Sequence, residues 1–251
     1  MRHLLFLFIA FLCLSGCKKD QPEPETHEAN QKAVGASAHD LLSAAQFDKL
    51  VIEVQSMTDS EPTQQTLDNV KAFLESRLNK PGGVDFRKTS VHVQGSTGEY
   101  SLDQIKALEE STRLEYNTGS TIAIYCLVTD GPYSSDSGGT VTLGIAYRNT
   151  SMVIFGKSIQ DLSGGLGQPS RSVLETTVIQ HEFGHLLGLV DIGSSMQTDH
   201  KDQAHGAHCD NSDCLMYYLA ETGDIVTTLL GGNIPQLDAN CIADLKANGG
   251  K

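Results

Sequence analysis

The run His181-Glu182-Phe183-Gly184-His185-Leu186-Leu187-Gly188 constrains this 251-residue chain more than any other stretch. Two histidines at i and i+4 stand about one turn apart on one helix face, so both imidazoles can reach a single ion. Zinc takes imidazole nitrogen at about 2.0–2.1 Å, and a catalytic site leaves one position for water. Glu182 lies beside the first histidine and can take a proton from that water, whose pKa the metal lowers to about 7. Gly188 follows the second histidine by three residues. A glycine there can take φ > 0 and turn the chain sharply back. The helix bearing the two histidines is expected to open with a capping box, Ser172-x-x-Glu175.

Strands and helices alternate along the rest of the chain. Residues 49–54, 90–94, 121–128, 141–147 and 152–155 read as strands, the last two joined by the turn-like Arg148-Asn149-Thr150. Leu67, Val70, Phe73, Leu74 and Leu78 recur at helical spacing over residues 63–79, and Pro81-Gly82-Gly83 stops that helix. A second helix is expected over 101–116, with Ser101 as cap and Gln104 three residues later. The last runs over 237–247 and ends at Asn248-Gly249. Such an order predicts an α+β (α/β-like) domain over residues 41–251, with a twisted, mixed, mostly parallel sheet and helices packed on it.

The ends speak of location. Arg2 precedes a short apolar run over residues 4–12, of signal length and too short to span a bilayer. It closes in Leu14-Ser15-Gly16-Cys17, which resembles the lipobox of bacterial lipoproteins. That resemblance implies a signal peptide over 1–16, lipid on Cys17 and a flexible tether over 17–40, with Pro22, Pro24 and no apolar periodicity. An exported cell-envelope protein is expected, at the outer membrane or cell surface, and as a monomer. The net charge of −13 argues against a nucleic-acid partner, whose phosphates require Lys and Arg patches. Asp199, Asp202, Asp210 and Asp213 make calcium a weak candidate beside a solvated acidic loop, and no EF-hand spacing occurs.

Beyond the leader stand Cys126, Cys209, Cys214 and Cys241. Outside the cytoplasm four cysteines suggest disulfides in one of three pairings. Cys209 with Cys214, neighbours in sequence, leaves Cys126 with Cys241.

The histidine motif and the later Cys214-Leu215-Met216-Tyr217-Tyr218 resemble the metzincin clan of zinc endopeptidases. Membership would imply a zincin-type catalytic domain with an active-site helix, a methionine turn beneath one catalytic zinc and a C-terminal helix. It would also imply a third ligand after the glycine. Asp191 stands three residues past Gly188, but His208-Cys209, four residues, Cys214, one residue, Met216 is similar to the archaemetzincin pattern. The spacing from His208 to Met216, and the Leu-Met-Tyr that follows, are also those of matrix metalloproteinases. The resemblance favours His208, with Asp191 second and His205 third; His200 and His205 otherwise read as a solvated loop. Archaemetzincins hold a structural zinc with two such cysteines and a later Cys-x-x-Cys; only Cys241 follows here, which favours disulfides or free buried thiols. Tyr218 occupies the place where astacin-like members carry a tyrosine able to bind a developing oxyanion. Gly144-Ile145-Ala146 would be the edge strand that receives a peptide substrate.

The implied activity is peptide-bond hydrolysis, with Glu182 passing its proton to the leaving amine. The alternatives are hydrolysis of a non-protein or cell-wall peptide substrate, or a catalytically silent zinc-binding protein. The intact Glu182 speaks against the last.

Overall fold

Two strands apolar on both faces form the centre of a five-stranded sheet: β1 (Lys49–Ser56) and β3 (Thr121–Val128), buried over nearly their whole length. Continuous apolar runs of this kind suit parallel strands covered by helices on either face. A computed structural model describes residues 27–92 and 98–251. The leader over 1–16, Cys17 and the tether as far as residue 26 lie outside the described residues, as does the end of the strand expected over 90–94.

The sheet order is β2-β1-β3-β5-β4, with β2 (Gly83–Ser90), β4 (Gly144–Arg148) and β5 (Ser151–Ile154). All neighbours run parallel except β4, which pairs antiparallel with β5 and forms one edge. The mixed, mostly parallel sheet is therefore as the sequence predicts. The strand expected over 90–94 instead ends at Ser90, because the Pro81-Gly82-Gly83 turn leads directly into an edge strand. Only one of the neighbours flanking β2 is a strand, and its mixed polar sequence hides it from an apolar-run reading.

The helices are α1 (Ala38–Leu42), α2 (Gln64–Arg77), α3 (Leu102–Thr112), α4 (Gly156–Asp161), α5 (Arg171–Leu186) and α6 (Ala239–Ala247). α3 opens with the expected box: Ser101 accepts from the Gln104 amide, and the Gln104 side chain accepts from the Ser101 amide. α5 does not open as expected. Its cap is Ser170, which accepts from the Val173 amide, and Glu175 turns away to bind Arg171, the Thr66 hydroxyl and the Thr63 amide. The buried carboxylate thus joins the start of α2 to the flank of α5.

The chain is anchored earlier than residue 41. Buried Asn30 bonds Asn117 and Thr150, and Asn149 bonds the Lys32 amide and the Ala29 carbonyl. The part of the expected tether from residue 27 onward is therefore built into the domain. Polar side chains hold it rather than an apolar stripe, and an apolar-periodicity reading does not register such contacts. Lys80 completes this corner, donating to the carbonyls of Asp40, Ser43 and Phe47 at 2.6, 2.5 and 2.5 Å.

Candidate metal centre

α5 runs beneath β4 and carries His181, Glu182 and His185 on its buried flank, all three fully or nearly out of solvent. The helix stops after Leu186, and Gly188 turns the chain with φ +75°; a Cβ there would lie 2.6 Å from the Ser194 nitrogen. The following loop returns as a short antiparallel ribbon. The Asp202 amide donates to the His208 carbonyl at 2.8 Å, and the Asp210 amide to the His200 carbonyl at 2.9 Å. This ribbon brings His208 over α5.

The imidazoles of His181, His185 and His208 converge with the carboxylate of Glu221, one donor atom from each lying within 4.8 Å of every other. The Nε2 atoms of His181 and His185 are 3.1 Å apart, and Glu221 Oε2 is 3.8, 3.8 and 3.5 Å from the Nε2 atoms of His181, His185 and His208. Two of the rings are held from behind. His181 donates from Nδ1 to the Leu215 carbonyl at 2.7 Å, and His208 donates from Nδ1 to the His205 carbonyl at 2.6 Å. Each of these bonds leaves an Nε2 lone pair aimed at the common point, as metal-binding histidines require. His208 Nε2 is buried with no hydrogen-bond partner. Such an orphan is costly unless a cation takes its lone pair.

The electrostatics agree. Burial pushes His181 down to about 4 and His185 well below its ordinary range, so both present neutral imidazole. Burial, reinforced by Glu221, raises Glu182 well above the usual carboxylate range. Burial also works against charge on Glu221, yet His208 and His181 hold its carboxyl lower than usual; burial likewise opposes charge on His208, which Glu221 nonetheless raises. Two imidazoles held neutral, a third paired with a carboxylate and that carboxylate itself make a donor set that fits zinc.

The floor is Met216, fully buried in the turn Cys214–Leu215–Met216–Tyr217, where the Tyr217 amide donates to the Cys214 carbonyl. Its sulfur packs against Gly184, where an added Cβ would stand 2.2 Å from it. The glycine between the two histidines is thus the clearance for the methionine. Gly144 does the same for the base: a Cβ there would meet Glu182 Oε1 at 2.6 Å. Glu182 Oε2 accepts from the Ala146 amide on β4 at 2.6 Å, and Oε1 is buried without a partner.

Other expected residues lie elsewhere. Asp191 is exposed, with φ 65°, and does not belong to the cluster. His205 is exposed, paired with Asp202 and stacked on the Tyr218 ring with centroids 3.6 Å apart, and does not belong to the cluster. Asp199, Asp202, Asp210 and Asp213 form no metal group among the described residues. Glu221 is the residue sequence reasoning missed. No motif carries it, and only the position of the short 3-10 segment Tyr218–Glu221 after the methionine turn could have pointed there.

The cysteines overturn the disulfide pairing. Among the described residues all four are free and buried, Cys126 in β3 and Cys241 on α6. Cys209, Cys214 and Cys241 instead gather with His200, which is 1% exposed and not the solvated residue expected. His200, Cys209, Asp238 and Cys241 put one donor each within 4.8 Å of one another, and Cys214 Sγ lies 3.6 Å from Cys241 Sγ. A disulfide would need about 2.05 Å between the sulfurs. Asp238 also caps α6 through the Cys241 amide and accepts from Asn211 and from the Cys209 thiol. His200 donates from Nε2 to Asp244 at 2.8 Å and turns Nδ1 to Cys209 at 3.3 Å. Asp244 stands where a Cys-x-x-Cys beginning at Cys241 would place its second cysteine. Hydrogen bonding to Cys209 and Cys241 draws Cys214 down to about 4, whereas the same contacts push Cys209 and Cys241 up.

The sheet, helices and methionine turn together make an archaemetzincin-like zincin fold. The solved archaemetzincin of Methanopyrus kandleri matches with a TM-score of 0.52 and 15% sequence identity, over 80% of this chain and 96% of that one. Metalloproteinase-II of Bacteroides fragilis matches with a TM-score of 0.42 and 16% identity, over 82% of this chain and 55% of that one. No protein-family model matches the chain, and no curated protein matches it.

Proposed function

We propose that the protein is a zinc-dependent endopeptidase. The observation that carries this reading is the convergence of three Nε2 atoms beside a buried glutamate on the same helix. Zinc held by His181, His185 and His208 would supply a Lewis acid for the scissile carbonyl and acidify the attacking water. Glu182 takes the proton from that water on Oε1, the oxygen without a partner, while the Ala146 amide fixes Oε2. As the C–N bond breaks, Glu182 returns the proton to the leaving amine. A peptide lying along the outer edge of β4 gains main-chain hydrogen bonds and passes directly over the base.

In this reading His200, Cys209 and Cys241, whose donor atoms lie together, would hold a second, structural zinc with Cys214, 3.6 Å from Cys241, as the fourth donor. Thiolates and imidazole in a closed tetrahedral set are the donors such sites use. The archaemetzincin resemblance supports it, with His200 from the loop replacing the missing cysteine and Asp244 orienting it.

Arg2, the apolar run over 4–12 and the Leu14-Ser15-Gly16-Cys17 box support export and a lipid anchor on Cys17, with a peptide or protein substrate outside the cytoplasm. Among the described residues no helix is long and apolar enough to cross a membrane.

Zinc content and cleavage of casein or a quenched peptide, compared between wild type and Glu182→Ala, test the proposal. Chelator-sensitive cleavage that disappears in Glu182→Ala with zinc retained supports it. Cleavage surviving in that variant would remove the base from the mechanism.

A further inference from the structure

Glu221 belongs to no motif, yet its carboxylate faces all three histidines. Four donors around zinc at about 2.0–2.2 Å define a tetrahedron with edges of roughly 3.3–3.5 Å. Oε2 of Glu221 lies 3.5–3.8 Å from the three Nε2 atoms, close to the edges of such a figure. With zinc on the three histidines it would stand near the fourth vertex, where a hydrolytic site must admit water.

The backbone holds it there from two directions. Glu221 ends the 3-10 segment that follows the methionine turn, and its carbonyl accepts from the Leu143 amide at 2.8 Å, just before β4. The neighbouring Thr222 bridges to Thr142, and the Gly223 amide donates to the Val141 carbonyl at 2.8 Å. The carboxylate is thus suspended between the floor of the site and the strand along which a substrate would lie. Its side chain keeps 32% exposure, so the way out to solvent is open. Glu182, by contrast, is fully enclosed against Gly144 and pinned by the Ala146 amide, so of the two carboxylates only Glu221 has room to move.

We propose that Glu221 is a fourth protein ligand that closes the His181–His185–His208 centre at rest, and that it must swing off before water or substrate can enter. This rests on the zinc-peptidase reading of the site. The device is intramolecular and reversible, and it lies after the active-site helix rather than in a preceding segment. The protein would then work slowly, in proportion to the fraction of molecules with Glu221 displaced.

The test is calorimetric binding of acetohydroxamate, a small bidentate zinc ligand, to the zinc-loaded full chain, alongside zinc retention against a chromophoric chelator. Wild type, Glu221→Gln, Glu221→Ala and His185→Ala are compared, with circular dichroism as the folding control. If the open state is a tenth of the population or less, hydroxamate should bind Glu221→Ala at least about tenfold more tightly than wild type. The same variant should surrender its zinc at lower chelator concentration, and the isosteric Glu221→Gln should follow it in both respects. Equal hydroxamate affinity and equal zinc retention in wild type and Glu221→Ala would overturn the proposal while leaving the three-histidine centre standing. Hydroxamate binding that survives in His185→Ala would instead defeat the underlying site, and the closure with it. Faster peptide cleavage by Glu221→Ala would support the closure independently of affinity.

Discussion

His208 and Cys209 are consecutive residues that point into different clusters, the first toward α5 and the second toward α6. One peptide bond thus joins the three-histidine centre to the cysteine centre. The chain around them is otherwise a loop, tied by the pairing of Lys201 with Cys209 and by the Cys209 amide donating to the Met216 carbonyl at 2.8 Å. Metal at the cysteines would stiffen this ribbon and so position His208.

Mass spectrometry under native conditions is expected to find two zinc ions per chain. Cys214→Ser should lose one ion and weaken retention of the other. Asp244→Asn leaves every ligand in place but loosens His200, and should cost about 10–100-fold in affinity at the cysteine centre. After denaturation with chelator and without reductant, thiol titration should find Cys126, Cys209, Cys214 and Cys241 all free.

Gly184→Ala should harm the centre without touching a ligand. Its methyl group would overlap the Met216 sulfur, and both lie in a filled core. Forced displacement of this kind costs about 1–3 kcal/mol. Chemical denaturation should report that loss, and zinc retention should fall as His181 and His185 are pushed out of line.

Gly144→Ala addresses the base alone. The new Cβ would crowd Glu182 Oε1 and Val178, shifting the carboxylate from the Ala146 amide while leaving the histidines untouched. A misplaced general base loses a contribution of about 10²–10⁴ in rate. The turnover number should drop toward that range with zinc content unchanged.

The histidine helix, the central strands and both flanking helices were legible because local signals mark them: i and i+4 spacing, continuous apolar runs, and the Ser101-x-x-Gln104 box. β3 lies over the residues that its apolar run predicts. What was not legible depends on distant pairing. Nothing near His200 in sequence tells that Asp244 will hold it, and Glu221 reaches the histidines only because the chain folds back against β4. The same holds for Asn30, whose partners are about 90 and 120 residues away. The cysteines misled for a related reason: closeness in sequence suggested a bond, while the fold brought three sulfurs and an imidazole to one point.

Lys80 makes a separate stability claim. Its buried ammonium satisfies three carbonyls, and burial lowers its pKa to about 8. Lys80→Met would keep most of the volume and leave those acceptors unpaired. Unsatisfied buried acceptors cost about 1–3 kcal/mol each, reduced here by any water that enters. A loss of about 3 kcal/mol in urea denaturation is expected.

The most direct measurement combines zinc content and quenched-peptide cleavage on the same samples of wild type, Glu182→Ala and His208→Ala. Wild type should hold two zinc ions and cleave, Glu182→Ala should hold two and not cleave, and His208→Ala should lose the ion at the histidines and its activity with it. Wild-type cleavage in Glu182→Ala, or full zinc retention in His208→Ala, would contradict the assignment of this site.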